Sequence, residues 1–308
     1  MKKIVQSLGR TTLAPSSSIP LDLQNLPEGN WYVTNLVLRF TATAGEGGDV
    51  TGNSLKAAIG SIYLRTGEHS WINGLNVNDL GHLAIVAGNF YDDFNDVDAG
   101  TTADRFVNIG FRFAQLKDPL DLCPNVAQFK PNTTVIFNTG SFDANLTSLA
   151  VEVIAFCIDR KNVYVAPQLK LDKQVITTSR AGYIKVSETC IGAWMEFNGA
   201  EVLGTRGTLY VNGEPVIVNQ PLRFLDNYDQ LPFAAYGEDP YADRAVDLFK
   251  QIGSVSLESP VLSANSSIAY KDFDATAVPF RFVSIGVVPV RTQGGTPIVA
   301  SPVAPLKI

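Results

Sequence analysis

Between Trp31 and Ala44 the segment WYVTNLVLRFTATA partly alternates apolar and polar residues and is rich in aromatic and β-branched types, the pattern of a half-buried strand. GEGGDVTGN (45–53) follows as a glycine-rich loop. LKAAIGSIYLRTGEHSWI then predicts a strand, a turn at Thr66-Gly67 and a returning strand. In NVNDLGHLAIVAG the period changes. Val77, Leu80, Leu83 and Ala84 fall at helical spacing and Gly88 closes the segment, which predicts a short helix. Beyond the acidic loop YDDFNDVDAGTTAD, RFVNIGFRFAQL and TTVIFNTGSF predict strands. SLAVEVIAFCID (148–159) is an apolar run of strand length, the most core-like stretch of the first half.

From Gln168 the order repeats. GYIKVSETCIGAWMEFNGAEVL predicts two strands around Asn198-Gly199, and TLYVNGEPVIV a hairpin around Asn212-Gly213. DPYADRAVDLFKQIG predicts a helix with Asp239 as N-cap, Pro240 at the first helical position and Gly253 past the end. Its apolar face is Ala242, Ala245, Val246 and Phe249. AVPFRFVSIGVVPV is the counterpart of the 148–159 run. One phrase occurs twice: GSIYLRTGE (Gly60–Glu68) and GTLYVNGE (Gly207–Glu214), an offset of 207 − 60 = 147 residues. The first strands, taken at Leu36 and Ile184, are 184 − 36 = 148 apart. Shared order and offset predict two similar β-domains, each decorated by a helix. The fold expectation is an all-β chain with short helices, built as two tandem jelly-roll β-sandwich domains. Residues 1–25, with LAPSSSIP, are expected to form an extended N-terminal arm; 26–167 the first jelly roll; 168–291 the second; and the Pro-rich 292–308 a C-terminal arm.

Composition narrows the classes. The chain has 308 residues, 45% hydrophobic and 18% charged, ample for large cores. A net charge of −6 argues against a protein that holds nucleic acid by charge, so no specific nucleic-acid binding is expected. Cys123, Cys157 and Cys190 form no C-x-x-C pair and are expected as buried free thiols in a reducing compartment. MKKIVQSLGRTT lacks the apolar run of a signal peptide, and no run of about 18 apolar residues predicts a membrane span. Synthesis and assembly in the cytosol are the expectation.

Candidate chemistry is sparse. His69 and His82 stand without H-E-x-x-H spacing, the loop at Gly45–Gly52 lacks G-K-[ST], and no G-x-S-x-G occurs. No catalytic or cofactor-binding residue is predicted. In DDFNDVDAG, Asp92, Asp93, Asn95, Asp96 and Asp98 offer hard oxygen ligands suited to a structural calcium ion, but no EF-hand frame fits; a solvated acidic loop is the alternative. In MKKIVQSLGR, Lys2, Lys3 and Arg10 surround Ile4, Val5 and Leu8, a basic amphipathic stretch able to touch anionic lipid, or else a disordered tail.

Two stacked β-domains, each with a helix in one connection, and the segment FRFAQLKDPLDLCPNVAQF (Phe111–Phe129) carry a family resemblance. In that segment a strand ends, an Asp-Pro turn follows and a Leu-x-Pro element leads to the next strand. From about Trp31 to Val290 the chain resembles the double jelly-roll major capsid proteins of tailless icosahedral DNA viruses, bacteriophages among them, that enclose an internal membrane. The resemblance implies a non-enzymatic structural protein located in the virion capsid and made in the host cytoplasm. It implies homotrimers of pseudo-hexagonal outline tiling a shell. It further implies contacts with minor capsid and vertex proteins, and arms that reach neighbouring trimers or membrane lipid. Two alternatives stay open. One is a carbohydrate-binding or glycoside-cleaving β-sandwich, using two of the 30 acidic residues with Trp71 or Trp31 stacked on sugar. The other is a viral spike or adhesin.

Overall fold

The computed structural model describes residues 2–113, 116, 118–129, 132–160, 166–176, 181–186, 188–197, 206–221, 245–247, 264–271 and 280–288. The first half contributes β1 (Lys3–Thr12), β2 (Ser18–Asp22), β3 (Trp31–Ala44), α1 (Gly52–Ile59), β4 (Ser61–Thr66), β5 (His69–Asn76), α2 (Val77–Val86), β6 (Thr102–Gly110), a 3-10 turn at Val126–Phe129, β7 (Thr133–Asn138) and β8 (Leu146–Asp159). The second contributes β9 (Gln168–Ile176), β10 (Gly182–Lys185), β11 (Thr189–Phe197), β12 (Arg206–Val211), β13 (Glu214–Pro221), β14 (Ala245–Asp247), β15 (Ser267–Lys271) and β16 (Phe280–Val288).

The first eight strands form two facing sheets in the orders β1-β8-β3-β6 and β2-β7-β4-β5, and the second eight repeat this as β9-β16-β11-β14 and β10-β15-β12-β13. Each half is a jelly roll: first, eighth, third and sixth strands opposite second, seventh, fourth and fifth. A parallel contact of β5 with β9, Ile72 opposite Leu171, joins the inner sheets of the two halves into one of eight strands.

Strand period explains the layers. Along β3, Leu36, Leu38, Phe40, Ala42 and Ala44 are buried while Val37, Arg39, Thr41 and Thr43 alternate towards the outer face. Phe40 meets Phe137 of the opposite sheet edge-on at 6.0 Å, and Trp71 stacks on Phe129 at 5.0 Å and meets Phe111 edge-on at 5.8 Å. These aromatic contacts tie the two sheets across the sandwich.

α2 forms where the spacing predicts it. Asn76 caps it in a reciprocal box: its side chain accepts from the Asp79 amide, and the Asp79 carboxylate accepts from the Asn76 amide. α1 differs from expectation, since LKAAI reads as the start of a strand. Thr51 caps the Ser54 amide, and Leu55, Ala58 and Ile59 turn one face inward, so helical spacing and a cap decide the segment.

Irregularities in pairing show which residues correspond. The third strand bulges after Val33 in β3 and after Cys190 in β11, opposite Cys157 and Gly286. The β4–β5 hairpin shifts register on both sides of Leu64↔Ile72, and the β12–β13 hairpin on both sides of Leu209↔Ile217. Gly67 and Asn212 begin the two tight turns with φ of 55° and 52°, and Gly74 and Asn219 carry φ of 70° and 48° beside the bulges. The repeated phrase therefore lies on equivalent hairpins. The structural offset there is 212 − 67 = 145, two residues short of the 147 given by the glycines. A two-residue slip keeps every side chain on its face, which is why the phrases match by type at the wrong register. Leu36 and Ile184 do not correspond: one lies on a third strand, the other on a second.

Residues 2–25, expected as an arm, are held against the first sandwich. β1 pairs with β8 along its whole length and β2 with β7, and Leu8 and Leu13 are buried. Ile4, Gln6 and Leu8 face inward by strand period, so a stretch too polar to read as core still supplies the sheet's edge strand. Of the Asp239–Gly253 helix only 245–247 are described, and they form β14, paired with β11; the rest lies outside the described residues. Asn198-Gly199 and the 292–308 arm also lie outside them.

Because Leu8 is fully buried, Leu8→Ala should cost about 2–5 kcal/mol of unfolding free energy in denaturant titration. A free arm would give no change.

Candidate assembly interface

The junction between the halves is built on β5, α2, β9 and β16. At its edge Ile72 pairs with Leu171, and both are fully buried. Val283, Ile285 and Val287 occupy alternate positions of β16, so they share one face. With Leu169, Leu171 and Ile191 they are buried in one apolar cluster with the first sandwich. The outer face of the second sandwich's first sheet is thus covered by the first sandwich.

Polar groups fix the register of this contact. Asn73 Nδ2 donates to Asp172 Oδ1 at 2.9 Å, and His69 Nε2 donates to the Leu169 carbonyl at 3.0 Å. Asp79, held by the α2 capping box, is fully buried, with Lys173 Nζ 3.4 Å from Oδ2 and Arg281 Nη1 3.4 Å from Oδ1. One carboxylate from the first half meets two cations from the second. Lys170 pairs with Glu188 at 2.6 Å and lies 3.9 Å from Asp172, within the second half. Burial lowers the His69 pKa from 6.5, and the Lys170 charge adds to this, against the pull of the Leu169 carbonyl.

The residues singled out in the sequence are placed as follows. His69 is structural, its ring also edge-on to Trp71 at 4.7 Å, and His82 is buried on α2. Asp92 accepts from the amides of Phe94 and Phe106, and Asp96 accepts from the Gly52 amide at the start of α1. Asp93, Asn95 and Asp98 border an open groove with Thr51, Asn53 and Lys56. Two of the candidate calcium carboxylates are thus occupied by backbone amides, and among the described residues no group of three or more His, Cys, Asp or Glu is placed to hold a metal. Lys2 donates its amide to Asp159, while Lys3 and Arg10 are exposed on β1. Of the basic amphipathic stretch, Lys3 and Arg10 thus lie on a paired sheet strand rather than in a disordered tail. Among the described residues no helix is long and apolar enough to cross a membrane.

Trp71 is fully buried and its Nε1 donates to Thr66 Oγ1 at 2.9 Å, so it cannot stack on a sugar; Trp31 is half-buried at the start of β3. The three thiols are free and buried, and desolvation pushes Cys123 up to about 12, Cys157 to about 11 and Cys190 to about 12. Sequence reasoning missed Asp79, Lys173 and Arg281. The only local signal was Asn76 three residues before Asp79, which marks a cap and not an ion pair.

Two measurements probe the junction. Asp79→Ala leaves Lys173 and Arg281 without their shared counter-charge and should cost about 3–5 kcal/mol, read from denaturant unfolding. His69 has its folded pKa below the unfolded value of 6.5, so as pH falls the unfolded chain takes the proton first. The stability it contributes is present above about pH 6.5 and is lost as pH falls through that value towards the folded pKa. Unfolding free energy measured across this window should fall less steeply in His69→Gln than in the natural sequence. Equal slopes would show that His69 is not the group responsible.

Comparison with known proteins gives a consistent picture of the fold. No family model matches the sequence, and no curated protein matches it. Among solved structures, the STIV major capsid protein is 11% identical with a TM-score of 0.64, over 94% of this chain and 97% of that one. The major capsid protein P2 of bacteriophage PM2 is 11% identical with a TM-score of 0.58, over 96% and 100%. The Faustovirus major capsid protein is 9% identical with a TM-score of 0.52, over 93% and 90%. The chain has the double jelly-roll fold of these viral capsid proteins.

Proposed function

We propose that this chain is a major capsid protein, a non-enzymatic subunit that assembles with itself into an icosahedral viral shell. The observation that carries the reading is coextensive architecture. The superposition extends over 94–96% of this chain and 97–100% of two viral major capsid proteins. Chemistry-bearing side chains support it: His69, Asp79, Asp92 and Asp96 are engaged in holding the fold, and Trp71 and the three thiols are interior.

The unit of assembly is a homotrimer. Three chains place six similar jelly rolls around one axis, an outline that tiles a surface as hexagons do. The virion shell is then its location, after synthesis in the host cytoplasm. Neighbouring trimers are its main partners, with minor capsid and vertex proteins at the places where the lattice curves.

Sedimentation of the purified protein tests this. The expected species is a trimer, three times 33.3 kDa or about 100 kDa, with larger lattice fragments as concentration rises. A chain that remains monomeric at micromolar concentration in all conditions would exclude the capsid role.

A further inference from the structure

We propose that the junction between the two halves is repeated between copies of the chain. β13 of one copy lies beside β1 of the next, and its second jelly roll covers the outer face of the neighbour's β1-β8-β3-β6 sheet. This inference rests on the reading of the chain as a self-assembling subunit and specifies which surfaces meet.

The correspondence between the halves carries the argument. Just past the third-strand bulge, Phe156 pairs with Asn35 in the first half and Ile285 with Gly192 in the second. Across the first strand, Val5 pairs with Phe156 and Leu171 with Ile285. Val5 is therefore the counterpart of Leu171, Phe156 of Ile285 and Ile154 of Val283. The double register shift of the hairpins makes Ile217 the counterpart of Ile72, and Val218 of Asn73.

The same positions differ sharply in burial. Leu171, Ile285 and Val283 are 0% exposed because the first sandwich covers them. Val5 is 58% exposed and Phe156 38%, with Ile154 and Val37 partly exposed beside them. On the other side, Val218 is 58% exposed where its counterpart Asn73 bonds Asp172 across the junction. So, among the described residues, one apolar face is without the jelly roll that covers its counterpart, and one hairpin edge is without the strand that pairs with its counterpart. Among the described residues both β1 and β13 are edge strands, and an edge strand presents backbone groups to a partner. A single occupant satisfies both: a second copy of this chain, whose β13 and β1 are the two missing pieces.

The ionic lock is not repeated. Ser7 stands at the place of Lys173, and Glu152, paired with Arg39, at the place of Arg281. The contact between copies is therefore mainly apolar, whereas the one within the chain is sealed by charge. Each copy offers one β13 and one β1, a head-to-tail contact that yields a ring when the rotation closes.

The test uses the full chain. Ile72 and Leu171 are Cα partners, so Ile217 and Val5 of adjoining copies should be as well, within the roughly 7 Å that a disulfide spans. The double variant Val5→Cys, Ile217→Cys should link chains covalently on mild oxidation, up to a closed trimer on a non-reducing gel, and each single variant should link none. The natural thiols are buried and do not compete. Separately, Phe156→Asp should lose the oligomer while keeping the circular dichroism of the folded subunit. If the double variant assembles but does not cross-link, or Phe156→Asp assembles as the natural chain does, this docking geometry is wrong and the capsid reading stands. A natural chain that never assembles overturns both.

Discussion

The contact of β5 with β9 is the constraint on which the molecule depends. Each jelly roll alone is a four-on-four sandwich with open edges and, on its first sheet, an outer face that is partly apolar. Bringing Ile72 against Leu171 closes one edge of each half and buries the second half's outer face at once. Asp79 then determines how the halves sit. Its carboxylate satisfies the start of α2 on one side and Lys173 and Arg281 on the other. A buried carboxylate in this position is costly unless paired, so other arrangements of the halves leave an uncompensated charge.

Much of this organisation is legible along the chain because it is local. Alternation in WYVTNLVLRFTATA, helical spacing after Asn76, and the two turns in GSIYLRTGE and GTLYVNGE each lie within about a dozen residues. The repeated phrase pointed to the right hairpins but to an offset of 147, because only the bulges and positive-φ residues reveal the true 145. Local signals also misled. The glycine-rich flank of α1 hid the Thr51 cap, and the polar residues of KIVQSLGRTT hid an edge strand that needs only one apolar face. In the second half, β14 occupies three residues of a stretch whose capping signals favoured a helix, and sheet pairing overrides propensity there.

The junction was not legible, for a physical reason. Asp79 meets residues that follow it by 94 and 202 positions, and nothing in a single sequence links a capping aspartate to a lysine and an arginine so distant. The acidic run at Asp92–Asp98 shows the converse. It looks like a ligand set, yet two of its carboxylates serve as backbone caps that join the loop to β6 and α1. Conspicuous polar clusters here organise loops, while inconspicuous residues on strands make the contact between the two halves.

Hydrogen exchange, compared between the dissociated subunit and the assembly proposed for it, reads the β5–β9 contact and its repeat between copies. In the subunit, amides of β5 and β9 should already be protected, while those at the open edges of β1 and β13 exchange quickly. On assembly the β1 and β13 edges should gain protection approaching that of β5 and β9. Unchanged exchange at both edges in a fully assembled sample, with new protection confined to other strands, would show that copies meet through other surfaces.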